Sequence, residues 1–219
     1  MTKPYYAAIL LGLLPLLGGR LSQAGDHQFR AGLTLKHQLN NNWEMVLDEL
    51  LRYRSQKRGI YYQGTDLGLV YSGLAPWIDL GFKMKLAYLE DSSGHWLRET
   101  RPQLDTTLKH TIHGITVSDR SRLEYRTIED VGNIWRYRNK LKVQPPWEFS
   151  SWALKPYGSG EVFFGLDGAS LYSHRFSGGV TMPITPDIKG DIYALWQEAK
   201  IDYDWHEGIA FGLRLVIFH

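Results

Sequence analysis

"SRLEYRTIEDVGNIWRYRNKLKV", residues 121–143, decides the fold. Arg120, Arg122 and Arg126 share a phase with Glu124. Beyond a short turn, Arg136, Arg138, Lys140 and Lys142 share another. Leu123, Tyr125, Trp135, Tyr137, Leu141 and Val143 fill the alternate positions. A period of two belongs to β-strands, whose successive side chains point to opposite faces. Each arm therefore has one ionised and one apolar face. What the two faces meet follows from the rest of the chain.

Ten-residue stretches of the same character recur throughout. Eleven alternating segments run over roughly 27–39, 43–54, 63–73, 77–90, 97–111, 114–127, 134–143, 153–164, 171–182, 188–199 and 206–219. In 77–90, Ile78, Leu80, Phe82, Met84, Leu86 and Tyr88 oppose Asp79, Gly81, Lys83 and Lys85. In 206–219, Ile209, Phe211, Leu213, Leu215 and Ile217 oppose Arg214. Such segments, with an apolar face in each, are the signature of a transmembrane β-barrel. The expected fold is thus all-β: an antiparallel up-and-down barrel of ten to twelve strands. An odd number conflicts with the even counts of bacterial single-chain barrels. One segment is therefore expected to be misassigned: the first fails to cross, or 144–164 hides a further strand. A soluble β-sandwich that buries the apolar faces against each other is the alternative fold.

Short connections (40–42, 74–76, 113–114, 184–188) are expected on one rim and longer ones (55–62, 91–96, 128–133, 165–170, 200–205) on the other, with 144–152 out of pattern. Trp43, Trp77, Trp147 and Trp152 are expected at the first rim. Tyr53, Tyr61, Tyr62, Tyr88, Trp96, Tyr172, Tyr203 and Trp205 are expected at the second. Rings with one polar atom favour a membrane–water interface. Glu49 shares the outward phase of Met45, Leu47, Leu51 and Tyr53, and a bulge is expected to re-aim it.

The chain has 219 residues and no cysteine, which excludes disulfides and thiolate chemistry. Lys3 heads an apolar run over 7–19, and Ser22-Gln23-Ala24 follows. This is the pattern of a cleavable secretory signal over 1–24, leaving a barrel domain over 25–219. The run is shorter than the ~20 residues of a membrane-spanning helix. Loss of Lys3 and Arg20 with the signal takes the formal charge from +2 to zero. A neutral mature chain gives no global case for nucleic-acid binding.

If the apolar faces meet lipid, the charges must point inward, because Arg or Lys at mid-bilayer costs ~2–4 kcal/mol. The expected lumenal ladder is Arg101, Asp105, Arg120, Arg122, Glu124, Arg126, Arg136, Arg138, Lys140, Lys142 and Glu161, with Glu99 and Asp191 as further inward acids. Arginine forks suit bidentate pairing with these carboxylates. One reading is a filled, salt-bridged interior with a structural or envelope role. The other is a small channel or binding barrel for polar, anionic solutes.

Several stretches carry a family resemblance: "WEMVLDELLRY" (43–53), "YYQGTDLGLVY" (61–71), "RETRPQLDTTLK" (98–109), "DRSRLEYRT" (119–127), "WRYRNKLKV" (135–143) and "KPYGSGEVFF" (155–164). Over 26–219 the chain resembles the outer-membrane barrel proteins catalogued as domain of unknown function 2490. The resemblance implies export to the outer membrane of a Gram-negative-type bacterium. It implies contact with outer-membrane lipids and lipopolysaccharide, and insertion by the barrel assembly machinery. It implies no assigned activity and no cofactor. Barrels of this kind usually end on an aromatic ring that the assembly machinery reads. Here His219 holds that place and Phe218 faces inward.

No catalytic constellation stands out. A lipid-modifying barrel enzyme is a further alternative, with His37 and His110 as outward histidines and Ser121 as an outward serine. No spacing joins them to an orienting third group. His110 and His113 have opposite phases and do not form a metal pair. Asp202 and Asp204 are read as a solvated loop. No metal or cofactor site is expected.

Overall fold

The computed structural model describes residues 27–55, 59–168, 170–201 and 204–219. The export signal expected over 1–24 lies outside them, as do Asp202 and Tyr203. Eleven strands form: β1 (His27–Gln38), β2 (Trp43–Arg54), β3 (Gly59–Ala75), β4 (Ile78–Glu90), β5 (Trp96–Ile112), β6 (Ile115–Ile128), β7 (Gly132–Gln144), β8 (Lys155–Gly165), β9 (Ser170–Thr185), β10 (Ile188–Ile201) and β11 (Asp204–Phe218). Sequential neighbours pair antiparallel, and β1 pairs with β11 to close the barrel.

The odd count is real. Neither expected misassignment holds: β1 is a full strand, and between β7 and β8 there is only an isolated bridge, Phe149 to Leu154. With an odd number of alternating strands, the first and last run the same way. The β1–β11 seam is accordingly parallel, from His27 opposite Ile209 to Lys36 opposite Phe218. At its end, the His219 N–H donates to the Lys36 carbonyl at 2.8 Å, and the Gln38 N–H donates to the His219 carbonyl at 3.0 Å. The ring of His219 stacks on outward His37 at 5.2 Å.

The barrel is turned with its apolar face outward. Phe82 is 55% exposed and Leu104 58%, whereas Glu99 and Glu124 are at most 1% exposed. Inward-phase glycines make room for large lumenal side chains. A Cβ on Gly212 would overlap the ring of Tyr193, and one on Gly68 would overlap the Lys83 stem.

The turns at 39–42, 76–77, 113–114 and 186–187 share one rim. His113 and Gly114 both have positive φ, 49° and 80°, which suits the twist of a two-residue hairpin. The expected difference in loop length between the rims is weak. The 129–131 and 202–203 connections on the opposite rim are short, and the longest connection, 145–154, sits on the hairpin rim.

Two bulges alter the expected aromatic belt. The β2–β3 register shifts after Arg52, and the β8–β9 register shifts after Phe163. Each leaves an extra residue on one strand, Tyr61 and Tyr172. Tyr61 donates to Gln28 at 2.8 Å, and the Tyr172 hydroxyl accepts from Arg136 at 3.0 Å. Tyr62 is buried beneath Arg52. These three tyrosines turn inward rather than joining the outer belt. The first bulge lies beyond Glu49 and does not re-aim it. Glu49 stays on the outer face and accepts from Thr65 at 2.5 Å.

Candidate functional site

The lumen is the candidate site, and its chemistry is dominated by ion pairs along β5–β8. Glu124 is at the centre. It meets Arg136, Arg138 at 2.8 Å, Arg101 at 3.5 Å and Arg122 at 3.7 Å. Glu99 accepts from Arg101 at 2.6 and 2.8 Å and from Arg126 at 2.6 and 3.2 Å. Asp105 accepts a fork from Arg122 at 2.5 and 2.7 Å. Glu161 meets Arg138 at 2.6 Å, Arg120 at 3.2 Å and Arg175 at 3.8 Å. These side chains come together because cross-strand register sets Glu124 opposite Arg136, Asp105 opposite Arg122, and Glu161 opposite Lys140.

Two further ladder members are placed inward with no ion pair among the described residues. Lys142 lies over the Tyr157 ring at 3.9 Å, and Lys140 lines a cavity. Asp191 accepts from Tyr157, the ring beneath Lys142, at 2.8 Å and is the cross-strand partner of Arg214.

Phe163, 2% exposed, is an apolar ring inside the charged lumen. Arg138, Arg175 and Arg136 lie 4.7, 4.4 and 5.6 Å from its centroid. Desolvated cations over such a face are attracted by its quadrupole. Its inward phase was readable beside Glu161, but its role as a platform required the fold.

Two cavities flank this belt. One, of about 490 Å³, reaches from Glu161 and Phe163 toward Arg54, Tyr61 and Leu89 near the rim opposite the hairpins. The other, of about 430 Å³, reaches the hairpin rim at Gln38, Asn42 and Ser72. Asp48, Arg120 and Arg214 line both. Asp48 is held there by Thr34, with Lys83 and Arg214 each 3.9 Å away.

The larger chamber contains residues that the sequence reading missed as site residues. Arg30, Arg52 and Arg175 face it from β1, β2 and β9. Their signal was present: Arg30 alternates with Phe29 and Ala31, and Arg52 with Leu51 and Tyr53. A second missed group lies outside the lumen. His174 pairs with Glu198 at 2.8 Å, with Phe176, Trp196 and Trp205 rings within 6 Å of its own.

The other outward residues are separated. Ser121 bonds Tyr137 at 2.9 Å and Asn139 at 3.4 Å, while His37 stacks on His219. Among the described residues there is no cluster of three or more His, Asp or Glu that would hold a metal ion.

Comparison with curated proteins finds no match. The family described as "Protein of unknown function (DUF2490)" matches residues 28–205, a span that runs from β1 into β11 and carries every member of the charged belt. The chain belongs to that family.

Proposed function

We propose that this chain is a bacterial outer-membrane barrel, exported by a cleavable signal over 1–24, whose charged belt is a bulkhead rather than the wall of an open pore. One observation carries the reading: Glu99, Arg101, Gln103, Asp105, Arg122 and Glu124 are all buried inside a barrel whose outer face is apolar. Bases packed this closely need carboxylates between them, and the pairs formed cross-link four successive strands. The role is structural or envelope-related. Its contacts are outer-membrane lipids and lipopolysaccharide outside, and the barrel assembly machinery during insertion. An apolar exterior of this extent fits acyl chains better than water.

Membrane immersion is tested with spin labels at Leu80, Phe82, Leu213, Lys83 and Arg138. The first three are expected to contact acyl chains and the last two not; the reverse pattern removes the reading. The bulkhead is tested in planar bilayers with refolded protein. No conductance steps are expected, and regular steps at each insertion would overturn it.

A narrow anion channel is the second reading. It is favoured by the three residues common to both cavities, of which two are arginines. In that case Arg120→Glu combined with Arg214→Glu reverses ion preference.

A further inference from the structure

The larger chamber contains arginines that have no ion pair among the described residues. Eleven arginines and two lysines line it against six carboxylates, and even with Glu124 and Asp105 behind four of those arginines the bases are in excess, so its field favours an anion. The imbalance is concentrated on one side. Arg30 and Arg52 are direct cross-strand partners, an arrangement in which like charges repel. Arg30 is 5% exposed. Among the described residues its hydrogen-bond contacts are to amide oxygens, Gln28 and Gln197, both at the long distance of 3.5 Å. Arg52 lies over the Tyr62 ring at 4.2 Å. The Nε atoms of Arg30, Arg52 and Arg120 are buried with no hydrogen-bond partner among the described residues. Arg175 joins the group through Gln197, whose Oε1 accepts from its Nε at 2.8 Å and from Arg30.

A buried, unpaired charge is expensive to hold. A guanidinium carries five N–H donors and accepts nothing. Two or three of them facing one space supply more donors than a single planar carboxylate can accept. A tetrahedral phosphate, with more acceptor positions and close to two negative charges, matches them better. The chamber falls in the ~300–1,000 Å³ range of small-molecule sites and reaches the rim opposite the hairpins beside Tyr61 and Arg54.

We propose that the chamber is a binding site for the phosphate group of a small polar solute, with Arg30, Arg52 and Arg175 as its anchors and Gln197 orienting two of them. The belt along β5–β8 stays paired and forms the floor. The site does not depend on the bulkhead being closed. Phosphate binding together with conductance would overturn the bulkhead and leave the site standing; a silent barrel that binds nothing would do the opposite.

The test is calorimetric titration of refolded, full-length barrel in detergent with inorganic phosphate at low salt. Saturable binding is expected, weakening as chloride is added. Arg30→Gln and Arg52→Gln are each expected to weaken it by ~10-fold or more, the usual cost of removing a charged hydrogen-bond donor. Lys109→Gln, in the other cavity, is expected to leave it unchanged. Both arginine variants should keep heat-modifiable gel migration and resist urea better than the parent when phosphate is absent, because like-charge repulsion is relieved. Failure of Arg30→Gln to fold would overturn the proposal. So would absence of saturable binding, parent-like affinity in either variant, or acetate binding as tightly as phosphate.

Discussion

The wall built from β5–β8 and the wall that crosses the β1–β11 seam use the same side chain in opposite circumstances. On the first, each of Arg101, Arg122, Arg126, Arg136 and Arg138 has a carboxylate within 3 Å. On the second, Arg30 and Arg52 face each other, two glutamines and a tyrosine ring. Cross-strand register accounts for the difference. Register in the first wall sets Glu124 opposite Arg136 and Asp105 opposite Arg122, and where it sets Arg122 opposite Arg138 and Arg120 opposite Lys140, Glu124 and Glu161 reach those arginines. In the second it sets Arg30 between Arg52 and Gly212, so neither neighbouring strand supplies a counter-charge there. The first wall is an internal cross-link. The second has charge left over, and leftover buried charge points to a ligand.

The contrast is open to direct attack by substitution. The largest effect is expected from Glu124→Gln, which leaves four guanidiniums around a neutral amide. Breaking a buried network of this kind costs ~3–5 kcal/mol, read as a fall in the urea midpoint in lipid vesicles. A change below ~1 kcal/mol, the range of a solvent-exposed pair, would show that the belt is not a structural tie.

Next is Glu49→Leu on the outer face of β2. Among the described residues its Oε1 is buried without a partner, so on the proposed membrane reading replacement is expected to stabilise the barrel in bilayers by ~1–2 kcal/mol, somewhat less than the cost quoted for a mid-bilayer base. A destabilised variant would show that the hydrogen bond from Thr65 outweighs the cost of the unpaired Oε1.

Smaller again, and opposite in sign to Glu124→Gln, is Arg52→Gln without added phosphate. Relief of the Arg30–Arg52 repulsion should raise stability by ~0.5–1 kcal/mol. A fall comparable to that of Glu124→Gln would erase the distinction between the two walls. The smallest effect is expected at the seam itself. His37→Ala removes one ring of the stacked pair with His219 and should cost ~0.5 kcal/mol, the low end for a ring pair. Here the more telling measurement is the yield of heat-modifiable barrel after refolding, which should drop if the ring pair helps the seam to close.

The first wall was largely legible in the sequence and the second was not. Period-two alternation marks one face of each strand, and Glu124, Arg136, Arg138 and Glu161 lie together on that face. Pairing is a different kind of information. Neighbouring strands of an up-and-down barrel are joined by short turns, so Glu124 and Arg136 are twelve residues apart and their meeting is close to forced. Gln197 and Arg30 are 167 apart and meet only because the first and last strands join. Nothing in either segment announces that joint. The bulges were equally hidden. One extra residue before Tyr62 turns Tyr61 toward Gln28, and no local composition signals it. The even strand count expected of bacterial barrels misled for a related reason. It is a regularity among known barrels, whereas the constraint on the chain is only that every edge be paired, and a parallel joint meets that constraint as well.

The parallel joint fixes more than the strand count. His27 begins its strand at one mouth of the barrel and Phe218 finishes at the other. Both ends of the described chain belong to adjacent strands, yet they exit on opposite sides. Joining them to make new ends elsewhere, a permutation that many compact domains tolerate with a few added residues, would here demand a linker as long as the barrel is tall. The joint also unites segments separated by nearly the whole chain, so its loop-closure entropy is the largest of any strand pair. The cylinder is therefore expected to remain an open, curling sheet until its last strand arrives, with zipping of the seam as the slow and final event of assembly.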